Sequence, residues 1–312
     1  MNQPVDRPNT VLMVTAGMFV GLIVIVFARL AYGMILPPMR AGLDLSYQQA
    51  GVLGTVTALG YVSFVLIGGL AASRWGASRA IAFGIAIVTA GFTGLAFAQS
   101  YPAAVLLMTL LGIGTAFSFA PMVSLLATWY PERRGFVIGC MSAGIGAGLL
   151  LVGVLLPWLY AQFGDIGWRV TWGVFAASSA AVGIAALAIL KDPPTDADGT
   201  QTPPPSADKW LVYRNPRVIT VSMVYGIIGL TYMVQTIFMI SYVVESGFSE
   251  AVAGSLLAMA GLLSVASGPV WGNISDRVGR GNALTAATGI VMLAMLLVLF
   301  DQSGASFFLH FF

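Results

Sequence analysis

Arg29, Tyr32 and Gly33 stand at i, i+3 and i+4 within the first long apolar stretch, a spacing that puts them on one face of a helix. A guanidinium offers planar, forked donors that match a carboxylate, and a neighbouring phenol can orient the rest of such a guest. Arg29 is also the only charge well inside an apolar segment, roughly two turns from Pro37 at its outer end. At that depth a cation is costly unless it faces protein or water, which marks Arg29 as the lining of a polar cavity. The competing reading is snorkelling, in which the long side chain reaches the outer headgroups. A small organic carboxylate is the simplest guest for the cavity.

Other reactive groups are sparse. No Asp, Glu or His lies deep inside a complete apolar segment, so no buried carboxylate or imidazole is at hand to relay a proton, and a coupling proton is left open. Asp44, Glu245, Glu250 and Asp301 fall near segment ends, where a solvated carboxylate is the ordinary role, and His310 receives no assignment. Cys140 is the only cysteine, which excludes an intrachain disulfide framework, and it sits among small residues as a packed thiol does. No nucleophile, base and orienting group converge and no metal-ligand cluster occurs, so neither an enzyme nor a metal nor a cofactor is expected. Gly144-Ile-Gly146 fails as a nucleotide loop because no strand precedes it and it lies in an apolar segment.

The elements that must position Arg29 follow from composition. Charged residues make up 8% of the chain and hydrophobic ones 58%, whereas a water-soluble domain of this size must cover itself with polar groups. The fold class is therefore all-α integral membrane protein, since isolated strands would leave backbone groups unpaired in the lipid bilayer. Nine stretches near 11–36, 47–71, 79–98, 103–128, 135–159, 169–190, 218–243, 249–272 and 282–300 are each long enough to cross it. The first is too long, and too poor in small residues for cleavage, to be a removable signal peptide. Arg7, Arg74, Arg79, Arg133, Arg134, Lys191, Lys209, Arg214, Arg217, Arg277 and Arg280 fall at one set of alternating ends, against Arg40 and Arg169 at the other. This asymmetry places the N-terminus and the segment 191–217 in the cytoplasm. The small net charge of +2 adds nothing about partners; no nucleic-acid partner is expected, and the oligomeric state is not legible.

One loop occurs twice. Gly69-Leu-Ala-Ala-Ser73-Arg74-Trp-Gly76 returns as Gly272-Asn-Ile-Ser-Asp276-Arg277-Val-Gly279, an offset of 203 (272 − 69) that also carries Ser46 to Ser249, Ala50 to Ala253 and Gly51 to Gly254. Such a repeat points to duplication. The Pro-rich polar stretch between the copies cannot bury a core, so the chain divides into a six-helix half (1–190), a cytoplasmic linker (191–217) and a second half (218–312). The same offset takes Phe312 back to Thr109, early in the fourth span, so the second half is expected to hold three spans and the opening of a fourth, a tenth overall. It also takes Arg29 to Tyr232 and Tyr32 to Gln235, within a stripe of Ser222, Tyr225, Gly229, Tyr232 and Thr236 on the seventh span. These groups line a cavity or act as interhelical glue.

The pattern Gly272-x-x-x-Asp276-Arg277-x-Gly279-Arg280 resembles the signature loop of the major facilitator superfamily, as do Trp129-Tyr-Pro-Glu-Arg133-Arg134-Gly135 and Gly167-Trp168-Arg169. Ala28-Arg29-Leu-Ala-Tyr32-Gly33-Met-Ile-Leu36-Pro37-Pro-Met39, Leu45-Ser46-Tyr-Gln-Gln-Ala50-Gly51 and Leu263-Ser-Val-Ala-Ser-Gly268-Pro-Val-Trp271-Gly272 resemble its bacterial YbfB/YjiJ-type branch. The resemblance implies a secondary transporter of the inner membrane that moves a small-molecule solute by alternating access. It places spans one and seven around one cavity, so that Arg29, Tyr32, Tyr225, Tyr232 and Gln235 become the substrate-binding candidates. It also makes Gly69, Arg74, Gly76, Gly272, Asp276, Arg277, Gly279 and Arg280 a conformational latch, with Asp276 set against the positive N-terminus of span five. Ser73 departs from the aspartate of the first loop, Met108 from an arginine and Thr57 from an asparagine. The glycines of span five, Gly135, Gly139, Gly144, Gly146, Gly148 and Gly153, read as close packing. Two alternatives stand beside anion transport: efflux of amphipathic or drug-like compounds, and a truncated fragment that does not transport.

Overall fold

The computed structural model describes residues 8–193, 214–248 and 250–311, with side chains described throughout except at 229–241, 311 and several positions between 244 and 260. Most of the expected linker lies outside the described residues. All regular structure among the described residues is helical: α1 (Thr10–Gly21), a π-helical segment (Leu22–Leu30), α2 (Tyr32–Gly42), α3 (Tyr47–Trp75), α4 (Ala77–Phe97), α5 (Tyr101–Trp129), α6 (Arg134–Phe163), α7 (Gly167–Ile189), α8 (Pro216–Glu245), α9 (Glu250–Val278), α10 (Arg280–Phe300) and α11 (Gly304–Phe311), with short 3-10 turns before α6 and α7. Six stretches among them are long and apolar enough to cross a membrane, one of which, Pro131–Ile189, contains both α6 and α7.

The first stretch departs from the expected single α-helix over 11–36. Asn9 starts α1 by accepting the N–H groups of Val11 and Leu12, but the ladder then widens to π spacing until the Ala31 N–H closes on the Val26 carbonyl at 2.8 Å. The helix also runs on to Gly42, past the expected outer end at Pro37 and through Pro38. Pro38 has no N–H for the Met34 carbonyl four residues back, and the Tyr160 hydroxyl donates to that carbonyl instead.

Two compact units divide the chain: Met1–Pro193 with Gly261–Ala287, and Pro194–Ala260 with Thr288–Phe312. In the first unit, glycines bring helix backbones together. A Cβ on Gly60 would meet the Thr109 carbonyl, and one on Gly112 would meet the Thr57 carbonyl, so α3 lies directly against α5. The row on α6 serves two neighbours: Gly144 faces Met18 and Gly148 faces Leu22 and Val26, while Gly135 and Gly139 meet Gly272 and Gly268 of α9. Phe27, Phe92, Trp172 and Phe175 form an aromatic centre, with Phe27 stacked on Phe175 at 3.8 Å. In the second unit a smaller cluster of Val243, Leu256, Val298 and Phe307 is flanked by Tyr242 and Phe248.

Arg40 and Arg169 are structural. Arg169 donates to the Ala96 and Ala98 carbonyls, which α4 leaves unpaired at its C-terminus, and Arg40 donates to Leu45 and lies over the Tyr47 ring.

Candidate functional site

Arg29 occupies the last turn of the π-helical segment, a form of helix frequent at functional sites. Its backbone is held from both sides. Thr115 on α5 donates its hydroxyl to the Val24 carbonyl at 3.0 Å, and the neighbouring Ala28 and Phe27 are buried against the aromatic centre. The side chain is half-buried, with the guanidinium carbon 5.1 Å from the centre of the Tyr61 ring on α3. Among the described residues no hydrogen bond or ion pair takes up its donors, and the contact shown for the charge is this aromatic face.

Tyr32 lies against the helix that Arg29 also meets, with its ring beside Gly54 of α3. The π segment ends between the two residues, at Leu30. Tyr32 is 8% exposed, and its hydroxyl donates to the Ala50 carbonyl at 2.8 Å, tying α2 to α3. Tyr225 on α8 is 61% exposed, and the side chains of Tyr232 and Gln235 lie outside the described residues.

The second signature loop is built around α9 and α6. Asp276, in the last turn of α9, accepts the Gly135 N–H at 2.8 Å and the Phe136 N–H at 2.9 Å. These are among the N–H groups that the start of α6 leaves without helical partners, and the carboxylate also meets the positive end of the helix dipole. Charge-assisted bonds of this kind are worth roughly 1.5–3 kcal/mol each. The glycines make the contact feasible, since a Cβ at Gly135 would strike both Gly272 and Asp276. Gly279 follows with φ 88°, turning the chain into α10, and Arg280 stands 4.0 Å from Asp276 on the exposed side. Arg277 lines a cleft of about 470 Å³ with Glu132, Arg133, Phe136, Asn273 and Asp276.

The first loop shares the turn, with Gly76 at φ 92°. Its Ser73 is exposed and donates to the Leu70 carbonyl of its own helix at 2.8 Å, Arg74 is exposed, and a Cβ on Gly69 would meet open space. A carboxylate is nonetheless present beside Gly76, supplied from elsewhere: Asp192, just past α7, accepts the Ser78 N–H at 2.9 Å at the start of α4. The adjoining Lys191 carbonyl accepts the Trp129 indole N–H at 2.7 Å.

Tyr61, Thr115 and Asp192 were not singled out by sequence. A tyrosine and a threonine in apolar segments look like ordinary packing, and Asp192 opens a polar stretch that reads as solvated. The repeat could have raised Asp192, since a loop lacking its own carboxylate invites a search for a substitute. No group of three or more His, Cys, Asp or Glu that could hold a metal occurs among the described residues.

A family model described as Major Facilitator Superfamily matches residues 18–311. The oxalate:formate antiporter of Oxalobacter formigenes is 24% identical over 243 residues, covering 76% of this chain and 56% of the antiporter. The cis,cis-muconate transport protein of Acinetobacter baylyi is 29% identical over 137 residues, covering 44% of this chain and 32% of that protein. The chain thus spans little more than half of the first relative's length and about a third of the second's. The solved structure of the proton:xylose symporter XylE bound to 6-bromo-6-deoxy-D-glucose superposes with a TM-score of 0.66 at 14% identity, covering 97% of this chain and 79% of that one, a likeness of fold alone.

Proposed function

Since the chain belongs to the major facilitator superfamily, we propose that it takes part in moving a small organic anion across the membrane by alternating access, with Arg29 as the group that recognises the negative charge. The observation that carries this reading is an intramembrane guanidinium, half-buried and without a carboxylate partner among the described residues, held over the Tyr61 ring. An uncompensated cation at that depth is costly, and an anionic guest supplies the missing charge. The names of the two curated relatives, which concern oxalate, formate and muconate, favour the same substrate class. Tyr32 enters as a support of the cavity wall, and Tyr225, Tyr232 and Gln235 enter on the repeat register alone.

The finer topology is part of the proposal: nine spans and the opening of a tenth, a cytoplasmic linker over 191–217, the N-terminus inside, and residence in a bacterial inner membrane. The branch resembling YbfB/YjiJ-type proteins is likewise inferred from motifs. Asp276, with Gly272, Arg277, Gly279 and Arg280, is the latch of the second loop, while Gly69, Arg74 and Gly76 form its weaker counterpart.

The test is solute-dependent thermal stabilisation of the purified full chain across oxalate, formate and cis,cis-muconate, with Arg29→Ala as the comparison. A carboxylate that raises the melting temperature of the wild type and not of the variant supports the assignment. Equal stabilisation of both, or a response confined to hydrophobic cations, would move the reading to efflux.

A further inference from the structure

The contact between Arg29 and Tyr61 assigns a role to the tyrosine that rests on the anion site just proposed. We infer that Tyr61 is a positioning residue, whose ring holds the Arg29 guanidinium in place and offsets its desolvation while leaving its charge for the solute. An intramembrane arginine needs a partner. Were that partner a carboxylate, the pair would be neutral and the forked donors would be occupied. An aromatic face attracts the cation through its quadrupole and accepts no proton, so the guanidinium keeps its charge and its capacity for a carboxylate.

The backbone around each partner is fixed, which is what positioning requires. Tyr61 follows Gly60, whose α-carbon abuts the Thr109 carbonyl, and a Cβ on Gly112 would strike Thr57 and the Tyr61 N–H. The α3–α5 contact therefore holds the backbone at Tyr61. The same α5 supplies the Thr115 hydroxyl, which fixes Val24 within the π segment that carries Arg29. The 5.1 Å separation from the ring centre lies within the ~6 Å reach of a cation–π contact.

A series at position 61 that changes the ring's electrostatics and preserves its shape tests this. In the full chain, Tyr61→Phe is followed by phenylalanines of increasing fluorination, and the affinity for oxalate and cis,cis-muconate is measured in each, with and without Arg29→Ala. Tyr61→Phe is expected to bind as the wild type, and affinity should then fall stepwise to about fivefold weaker as fluorination removes the quadrupole, about 1 kcal/mol at 1.4 kcal/mol per tenfold. In the Arg29→Ala background the series should be flat. Loss at Tyr61→Phe itself would make the hydroxyl a solute contact and overturn the inference, as would constant affinity along the series while Arg29→Ala still weakens binding. If Arg29→Ala binds both solutes as tightly as the wild type, or the wild type binds neither, the anion site falls and this inference with it.

Discussion

The two signature loops share a backbone and differ in what they hold. Gly76 and Gly279 both take a positive φ, 92° and 88°, which favours glycine at the same position of each loop. In the second loop, Asp276 reaches across to α6 and takes two N–H groups. In the first, Ser73 turns back on its own helix, and Asp192 from beyond α7 caps α4 instead. Glycine thus specifies the turn, while the carboxylate decides which helix end the loop engages.

The strongest way to break this difference is steric. Gly139→Leu places a side chain where the Gly268 backbone lies, so α9 must move away from α6 and Asp276 with it. Overpacking of this kind costs about 3 kcal/mol or more, and thermal unfolding of the purified chain should show a loss larger than for any other change named in this paragraph. Asp276→Ala keeps the glycine packing and removes only the carboxylate, leaving two N–H groups to find other partners, for a loss of about 2 kcal/mol by the same measurement. The reciprocal Ser73→Asp should leave stability within about 0.5 kcal/mol, because Ser73 is exposed and bonds only its own helix among the described residues. Asp192→Ala should cost about 1 kcal/mol, the ordinary worth of a helix cap, and should increase amide exchange at Ser78.

The smallest effect concerns a carboxylate that caps locally. Asp301 accepts from Ser303 and Ser306 at the start of α11, and these bonds, the Ser306 hydroxyl foremost, hold its carboxyl below the usual value. With a lowered folded value, the ordering of that turn is complete above the usual carboxylate pKa of about 4 and is lost as pH falls through the lowered one. Amide exchange at Ser303 and Ser306 should rise only on that acid side, and Asp301→Asn should remove the dependence.

Much of this comparison was legible in advance. The repeat offset marked both loops, and Ser73 stood out against Asp276 without coordinates. Helical class followed from hydropathy, because lipid leaves few other ways to pair the backbone. The π segment was not legible: no glycine or proline interrupts residues 22–30, and its support comes from Thr115, distant in sequence. The change of helix type between Arg29 and Tyr32 was hidden with it, although both side chains meet α3, Arg29 at Tyr61 and Tyr32 at Ala50. The helix through Pro37 and Pro38 was hidden similarly, since the hydroxyl that bonds the vacated carbonyl belongs to Tyr160. In each case a tertiary partner overrides a local rule.

The central claim is that Arg29 recognises an organic anion. Its most direct test is uptake of radiolabelled oxalate and cis,cis-muconate into proteoliposomes holding the full chain, compared with Arg29→Ala. Saturable uptake of at least one carboxylate that falls roughly tenfold or more in the variant is the expected result, since a charged hydrogen-bond partner is worth about 1.5–3 kcal/mol. Uptake that Arg29→Ala leaves unchanged, or no uptake of either carboxylate, would contradict it.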